Sequence, residues 1–171
     1  VMAMADDDRV SSIPINGLDD SRRALQELIS GMRRTLYLYT PLVRPVLYGD
    51  RDVLTAIRGR VVIQPKVRLQ LLLPPARDWR NTCSGLVRLG ERLTTGLILR
   101  TPNWHEIPDR PELGQGFAIA DDRTLLHFSD PRRLLGVYEQ QPTERVRESL
   151  ELFREIWNRA QADPDLRRLG I

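Results

Sequence analysis

One cysteine, Cys83, stands in a chain of 171 residues, and one lysine, Lys66. A single thiol cannot close an intramolecular disulfide, nor build a multi-cysteine metal cluster. That usage predicts a cytoplasmic protein. Long apolar runs are also missing: none approaches the roughly 20 residues that span a bilayer, so no membrane segment is expected. The start, Met2-Ala3-Met4-Ala5-Asp6-Asp7-Asp8, is acidic and lacks the apolar core of a secretory signal. Val1 before Met2 reads as an alternative start codon or an added residue. No Gly-rich phosphate loop follows the first expected strand, where Thr40-Pro41-Leu42 stands, which counts against a dinucleotide fold. Internal repeats and heptads are absent as well.

What is present is arginine. With Lys66 the only lysine among 26 basic residues, the net charge of +3 is carried almost wholly by guanidinium groups. Their rigid fork suits phosphate and carboxylate. A GC-rich coding bias produces the same shortage of lysine, so composition alone does not assign a ligand. A length of 171 residues supports one domain with a sizeable core. The expected division is a flexible N-terminal segment, 1–17, with a short strand conceivable at Ile13 to Ile15, followed by one domain over 18–171.

Asp19-Asp20-Ser21 predicts a helix start. Leu25, Leu28, Ile29 and Met32 then recur at helical spacing, before a strand at Thr35 to Thr40. Asp50 or Asp52 starts a second helix ending at Gly59, and Val61 to Ile63 suggests a short strand cut by Pro65. Val67 to Leu73 is the clearest strand, alternating and then continuously apolar. Asn81 or Thr82 caps a third helix carrying Leu86, Leu89 and Leu93. A strand at Gly96 to Arg100 and a proline-rich loop over 101–113 follow. Phe117 to Ala120, the turn Asp121-Asp122-Arg123 and Thr124 to Phe128 read as a hairpin. A strand at Gly136 to Glu139 and a helix capped by Thr143 complete the order, with a tail packing back through Leu166 and Leu169. Alternation of this kind predicts an α/β fold: a mixed, mainly parallel sheet with helices on both faces and a late antiparallel extension.

The hairpin resembles the signature of the phospholipase D-like superfamily: His, any residue, Lys, four residues, Asp, six residues, then Gly-Ser-any-Asn. With Asp121 in the motif's Asp position, the frame falls on Gly114, Gly116, Asp121, Phe128, Ser129 and Pro131. Asp121 and Ser129 match. Gly114 replaces the nucleophilic His, Gly116 replaces the phosphate-binding Lys, and Phe128 and Pro131 also depart. The order of elements is similar to one phospholipase D-like unit. The whole chain is similar to a bacterial domain of unknown function that looks like a decayed half of such an enzyme and accompanies GNAT-type acetyltransferases. The resemblance implies an acetyltransferase partner or fusion, and a homodimer, since such halves usually pair.

In open α/β sheets, ligands sit beyond the C-terminal ends of the parallel strands. That rim is expected to hold Thr40, Arg44 and Tyr48, then Arg77, Asp78, Trp79 and Arg80, then Arg100, Asn103, Trp104, His105 and Glu106. Arg77, Arg80, Arg100, Trp104 and His105 are the candidate ligand-binding residues: arginines for an anion, tryptophan for stacking on a base. His105 is also the candidate acid-base residue, because histidine is the side chain that titrates near neutrality. His127, on the returning strand, reads as structural. Cys83 at a helix start reads as packing, Asp121-Asp122 as turn chemistry, and Glu151 with Glu155 lacks a histidine at metal spacing, so neither metal nor cofactor is assigned. Three functions follow: a non-catalytic module recognising an anionic ligand or a protein partner, a phosphodiesterase-type hydrolase rearranged around His105, and a nucleic-acid binder using surface arginines.

Overall fold

The computed structural model describes residues 12–169 of the chain. Its strands are β1 (Ser12–Asn16), β2 (Thr35–Tyr39), β3 (Arg68–Leu72), β4 (Leu97–Pro102), β5 (Gly116–Ala120), β6 (Thr124–Asp130), β7 (Leu135–Glu139) and β8 (Ala160–Gln161). Among the described residues the helices are α1 (Leu18–Gly31), α2 (Pro45–Tyr48), α3 (Arg51–Ile63), α4 (Ser84–Arg92), α5 (Glu144–Asn158) and α6 (Pro164–Leu169). All strands join one sheet in the order β1-β7-β6-β5-β2-β3-β4-β8. The segment β2-β3-β4 is parallel, with crossovers that run through α2 and α3 and then through α4. Every other pairing is antiparallel. The mixed sheet expected from sequence is therefore present, with a larger antiparallel share than the alternation of elements suggested.

Period-two alternation sorts the strands between two cores. Leu36 and Leu38 pair with Ala120 and Ala118 on one face, under α1, α3 and α4. Tyr37 and Tyr39 pair with Ile119 and Phe117 on the other, under α5. Helix α5 places Val146, Leu150, Phe153 and Ile156 on that second face. Each such side chain contributes about 1.5–3 kcal/mol when fully buried. The Thr143 hydroxyl caps the helix by accepting from the Val146 N–H at 3.3 Å.

Three local expectations are corrected. Residues 12–16 form β1 against β7, so the short strand suggested at Ile13 to Ile15 is present and this stretch leaves the expected flexible segment, while residues 1–11 lie outside the described residues. Helix α3 runs through Gly59 to Ile63, so no strand forms at Val61 to Ile63. Val61 packs against the backbone at Gly96, where an added Cβ would lie 2.8 Å from Val61 Cγ1. That tertiary contact outweighs the modest helix penalty of a β-branched run. Helix α4 begins at Ser84 with Cys83 as its N-terminal boundary, and not at Asn81 or Thr82. Thr82 instead donates its hydroxyl to the Trp79 carbonyl at 3.2 Å. Leu166 packs against the first core as expected; the Leu169 side chain lies outside the described residues.

Candidate functional site

The C-terminal ends of β2, β3 and β4 open on one rim. Because β5 runs antiparallel to β2 and β6 antiparallel to β5, the start of β5 and the end of β6 reach the same rim. Gly116 and Pro131 thus meet beside Thr40, with Gly114 and Ser129 at neighbouring chain positions on the same rim. A Cβ built on Gly116 would lie 3.4 Å from the Tyr39 carbonyl, 3.6 Å from Thr40 Oγ1 and 3.7 Å from Pro131 Cβ. A Cβ on Gly114 would meet nothing within 4 Å. Neither glycine has positive φ, so the backbone at both positions accepts a side chain.

The loops of the rim are held from beneath. The Tyr39 hydroxyl donates to the Leu113 carbonyl at 2.5 Å, tying β2 to the short turn Pro111–Gly114. Burial pushes the Tyr39 phenol well above its usual range, so it remains a donor. Burial likewise pushes Tyr48 up to about 12 despite a hydrogen bond with Thr40. Buried Asp163 accepts from the Ala76 N–H at 2.6 Å and from Thr101 Oγ1 at 3.4 Å, pinning the loop after β3. Trp79 is buried and donates its indole N–H to the Pro74 carbonyl at 2.8 Å, so it plugs the core edge.

The five candidate ligand-binding residues separate. Arg77 and Arg80 are exposed on the rim, Arg77 within 4.0 Å of Asp78. Trp104 is 43% exposed, with its ring edge against Tyr39 at 6.5 Å between centroids. His105 is exposed, and its backbone N–H bonds Asn103 Oδ1 at 3.3 Å. Arg100 is committed elsewhere: its guanidinium lies 4.3 Å from the Trp157 ring centroid and donates to the Trp157 carbonyl at 3.4 Å. This position on α5's side of the sheet follows from strand alternation, since Leu99 takes the opposite face.

Two clefts flank this region. One, of about 390 Å³, is lined by Pro41, Trp104, Ile107, Asp109, Arg110, Leu113 and Gly114. The other, of about 650 Å³, lies between α5 and the β5–β6 hairpin and includes Gln115, His127, Ser129 and Arg145. Its wall carries Glu112, Glu148, Glu151 and Glu155 against Arg110 and Arg145. That larger cleft is net acidic and disfavours an anion. Arg110 stands between the two clefts and pairs with Glu155. Sequence reasoning missed Arg110, which lies in the proline-rich loop and meets Glu155 across 45 residues of chain.

The histidines do not meet. His127 lines the larger cleft and His105 lines neither. Burial, and then the Arg145 charge, lowers His127 to about 4, so its imidazole is neutral. Cys83 is buried, and burial raises its thiol above the ordinary range, the opposite of an activated nucleophile. Among the described residues no group of His, Cys, Asp and Glu assembles a metal-holding cluster.

The two matching motif residues serve the fold. Asp121 accepts from the backbone N–H groups of Arg33, Arg34 and Thr35 at 2.9, 2.7 and 3.1 Å. It closes the α1–β2 connection at the end of the sheet opposite the rim. Asp121 and Asp122 both take left-handed φ, 55° and 56°, as the hairpin turn requires. Ser129 donates to the Leu135 carbonyl at 3.3 Å, beside the β6–β7 irregularity.

Solved structures share this architecture. NucT from Helicobacter pylori superposes with a TM-score of 0.61 at 12% identity, covering 89% of this chain and 97% of NucT. Phosphatidylserine synthase from Haemophilus influenzae Rd KW20 gives 0.54 at 14%, covering 88% and 39%. TrmBL2, an archaeal chromatin protein whose structure shows a novel mode of DNA binding, gives 0.59 at 17%, covering 89% and 54%. The chain thus spans about half the length of TrmBL2. At these identities the likeness is one of fold, and the fold is phospholipase D-like. No curated protein matches the sequence. Residues 17–169 match one family throughout, and the chain belongs to that family, described as Domain of unknown function (DUF7931).

Proposed function

We propose that this chain is a non-catalytic phospholipase D-like module that binds a phosphate-bearing ligand at the rim. The observation that carries this reading is the pair Gly114 and Gly116. In the motif frame they stand where the superfamily's nucleophile and phosphate-binding lysine belong. A Cβ would meet nothing within 4 Å at Gly114 and only ordinary contacts at Gly116, and neither has positive φ, so the backbone does not itself require glycine at either position. Phosphodiester cleavage through a covalent intermediate needs an activated nucleophile within reach of a proton carrier. Exposed His105 and cleft-bound His127 are not placed to form that pair.

Recognition then falls to Arg77 and Arg80, both exposed on the rim, with Arg110 at its boundary. Arg100, committed to Trp157, supports the loop and leaves ligand contact to the others. The description of TrmBL2 as DNA-binding favours a nucleic-acid ligand over a small anion. An acetyltransferase partner belongs to the same regulatory reading and is checked by co-purification.

The test is a titration of the purified chain with oligonucleotides and inorganic pyrophosphate at low and moderate salt, beside a phosphodiester hydrolysis panel. Affinity should fall as salt rises, through counterion release. It should be lost in the doubly charge-reversed Arg77→Glu, Arg80→Glu variant, with no turnover of any substrate. Turnover abolished by His105→Ala would establish the hydrolase instead. Unchanged affinity on charge reversal would remove the rim.

A further inference from the structure

We propose that the rim cavity beside Gly114 is a stacking site for an unpaired nucleobase, so that the rim's ligand is single-stranded nucleic acid. This rests on the phosphate-binding reading above and narrows it. The three tryptophans have different fates: Trp79 is 3% exposed, Trp157 carries Arg100 over its ring, and Trp104 remains 43% exposed. An indole left open at a cavity mouth is a large apolar surface that folding has not used.

Trp104 is also braced. Tyr39 meets it at an interplanar angle of 64°, and the Tyr39 hydroxyl is itself bonded to Leu113. The ring is therefore supported through Tyr39 by the sheet rather than hung on a loose loop. Pro41, Ile107 and Leu113 give the cavity apolar walls, and Gly114 leaves space where a side chain would intrude. The volume of about 390 Å³ falls within the range of small-ligand sites.

Two charged side chains line the cavity, and among the described residues only one of them is paired. The carboxylate of Asp109 is on the wall, and its neighbour Arg110 is turned to Glu155. An uncompensated carboxylate repels a phosphate group placed inside the cavity. It accepts hydrogen bonds from the ring and exocyclic N–H groups on a base edge. The chemistry that fits is a flat ring on Trp104 with N–H donors toward Asp109, its phosphates lying outside toward Arg77 and Arg80. A duplex hides both the face and the edge of its bases, so the site selects unpaired strands.

The experiment compares a short single strand, the same strand with abasic residues, its blunt duplex and inorganic pyrophosphate, each titrated while tryptophan fluorescence is followed. Base–aromatic stacking contributes about 1–3 kcal/mol per base, so the single strand should bind about 5- to 150-fold more tightly than its abasic form. Fluorescence should be quenched by the single strand only. Trp104→Ala should erase the difference between the two strands, and Trp104→Phe should keep most of it, with thermal melting confirming that both variants fold. If the abasic strand binds as tightly, or Trp104→Ala changes nothing, base stacking is overturned while salt-sensitive, Arg77- and Arg80-dependent binding keeps the rim. If no probe binds at all, the phosphate-binding reading falls and this inference with it.

Discussion

Replacing Asp121 should separate three contributions that the hairpin turn combines. Its carboxylate accepts three backbone N–H groups, from Arg33, Arg34 and Thr35. Hydrogen bonds to a charged group contribute about 1.5–3 kcal/mol each, but the first two lie in exposed surroundings and only the third is part-buried. The set is therefore expected near the low end, about 2–3 kcal/mol in total. The residue also sits at φ 55°, where alanine is strained by about 1–2 kcal/mol and glycine is not. Asp121→Gly should then lose about 2–3 kcal/mol from the hydrogen bonds alone, and Asp121→Ala about 1 kcal/mol more. Asp121→Asn tolerates the turn and keeps one acceptor oxygen, so it should lose about 1 kcal/mol. Urea unfolding followed by tryptophan fluorescence measures all three, with an unchanged dependence on denaturant concentration. For a domain of this size the glycine variant should also melt about 5–10 °C lower. If the asparagine and glycine variants both unfold within about 0.5 kcal/mol of the parent, the ordinary range for surface changes, the carboxylate is not holding the α1–β2 connection and the reasoning fails.

Other substitutions should behave as follows. His127 titrates in the unfolded chain near its ordinary 6.5 but in the folded chain only near 4. Between those values the unfolded state binds more protons, so stability falls as pH drops through that window, by about 3 kcal/mol in all; His127→Gln should flatten the profile in urea melts. Gly136→Ala should unfold the chain or lose about 4 kcal/mol or more, because the new Cβ would lie 1.8 Å from the His127 carbonyl oxygen; circular dichroism melts decide it. Gly114→His, at an exposed position whose Cβ would meet nothing within 4 Å, should fold within about 1 kcal/mol of the parent, and a large loss would show that the rim cannot accept a side chain there. Arg100→Met should lower stability by about 1 kcal/mol through the lost stacking on Trp157 while leaving oligonucleotide affinity unchanged.

The elements with strong periodicity were legible. The recurrence of Leu25, Leu28, Ile29 and Met32 announced α1, and the apolar run of Val67 to Leu73 announced β3. What escaped depended on contacts distant in sequence. Nothing near Val61 says that Gly96 will receive it, so a β-branched run reads locally as strand. Nothing in Ser12–Asn16 says that β7 waits as a partner. The balance of parallel and antiparallel pairing is set by where β5 inserts beside β2, a choice between sheet edges that alternation does not encode.

The site was legible only as a rim. Position along the strands placed Arg77, Arg80, Trp104 and His105 on one edge, but side-chain commitment is a three-dimensional property. Arg100 finds Trp157 across 57 residues of chain, and Arg110 finds Glu155 across 45. The motif residues show the same division. Asp121 closes a connection that the sheet requires, and Ser129 bonds across the β6–β7 turn. Both are tied to backbone groups, so their loss would be felt in stability whatever the rim does. Gly114 faces open space, and Gly116 packs against Tyr39, Thr40 and Pro131 with no positive φ that would require glycine. Asp121 and Ser129 thus hold the sheet through backbone bonds, a duty that neither glycine shares.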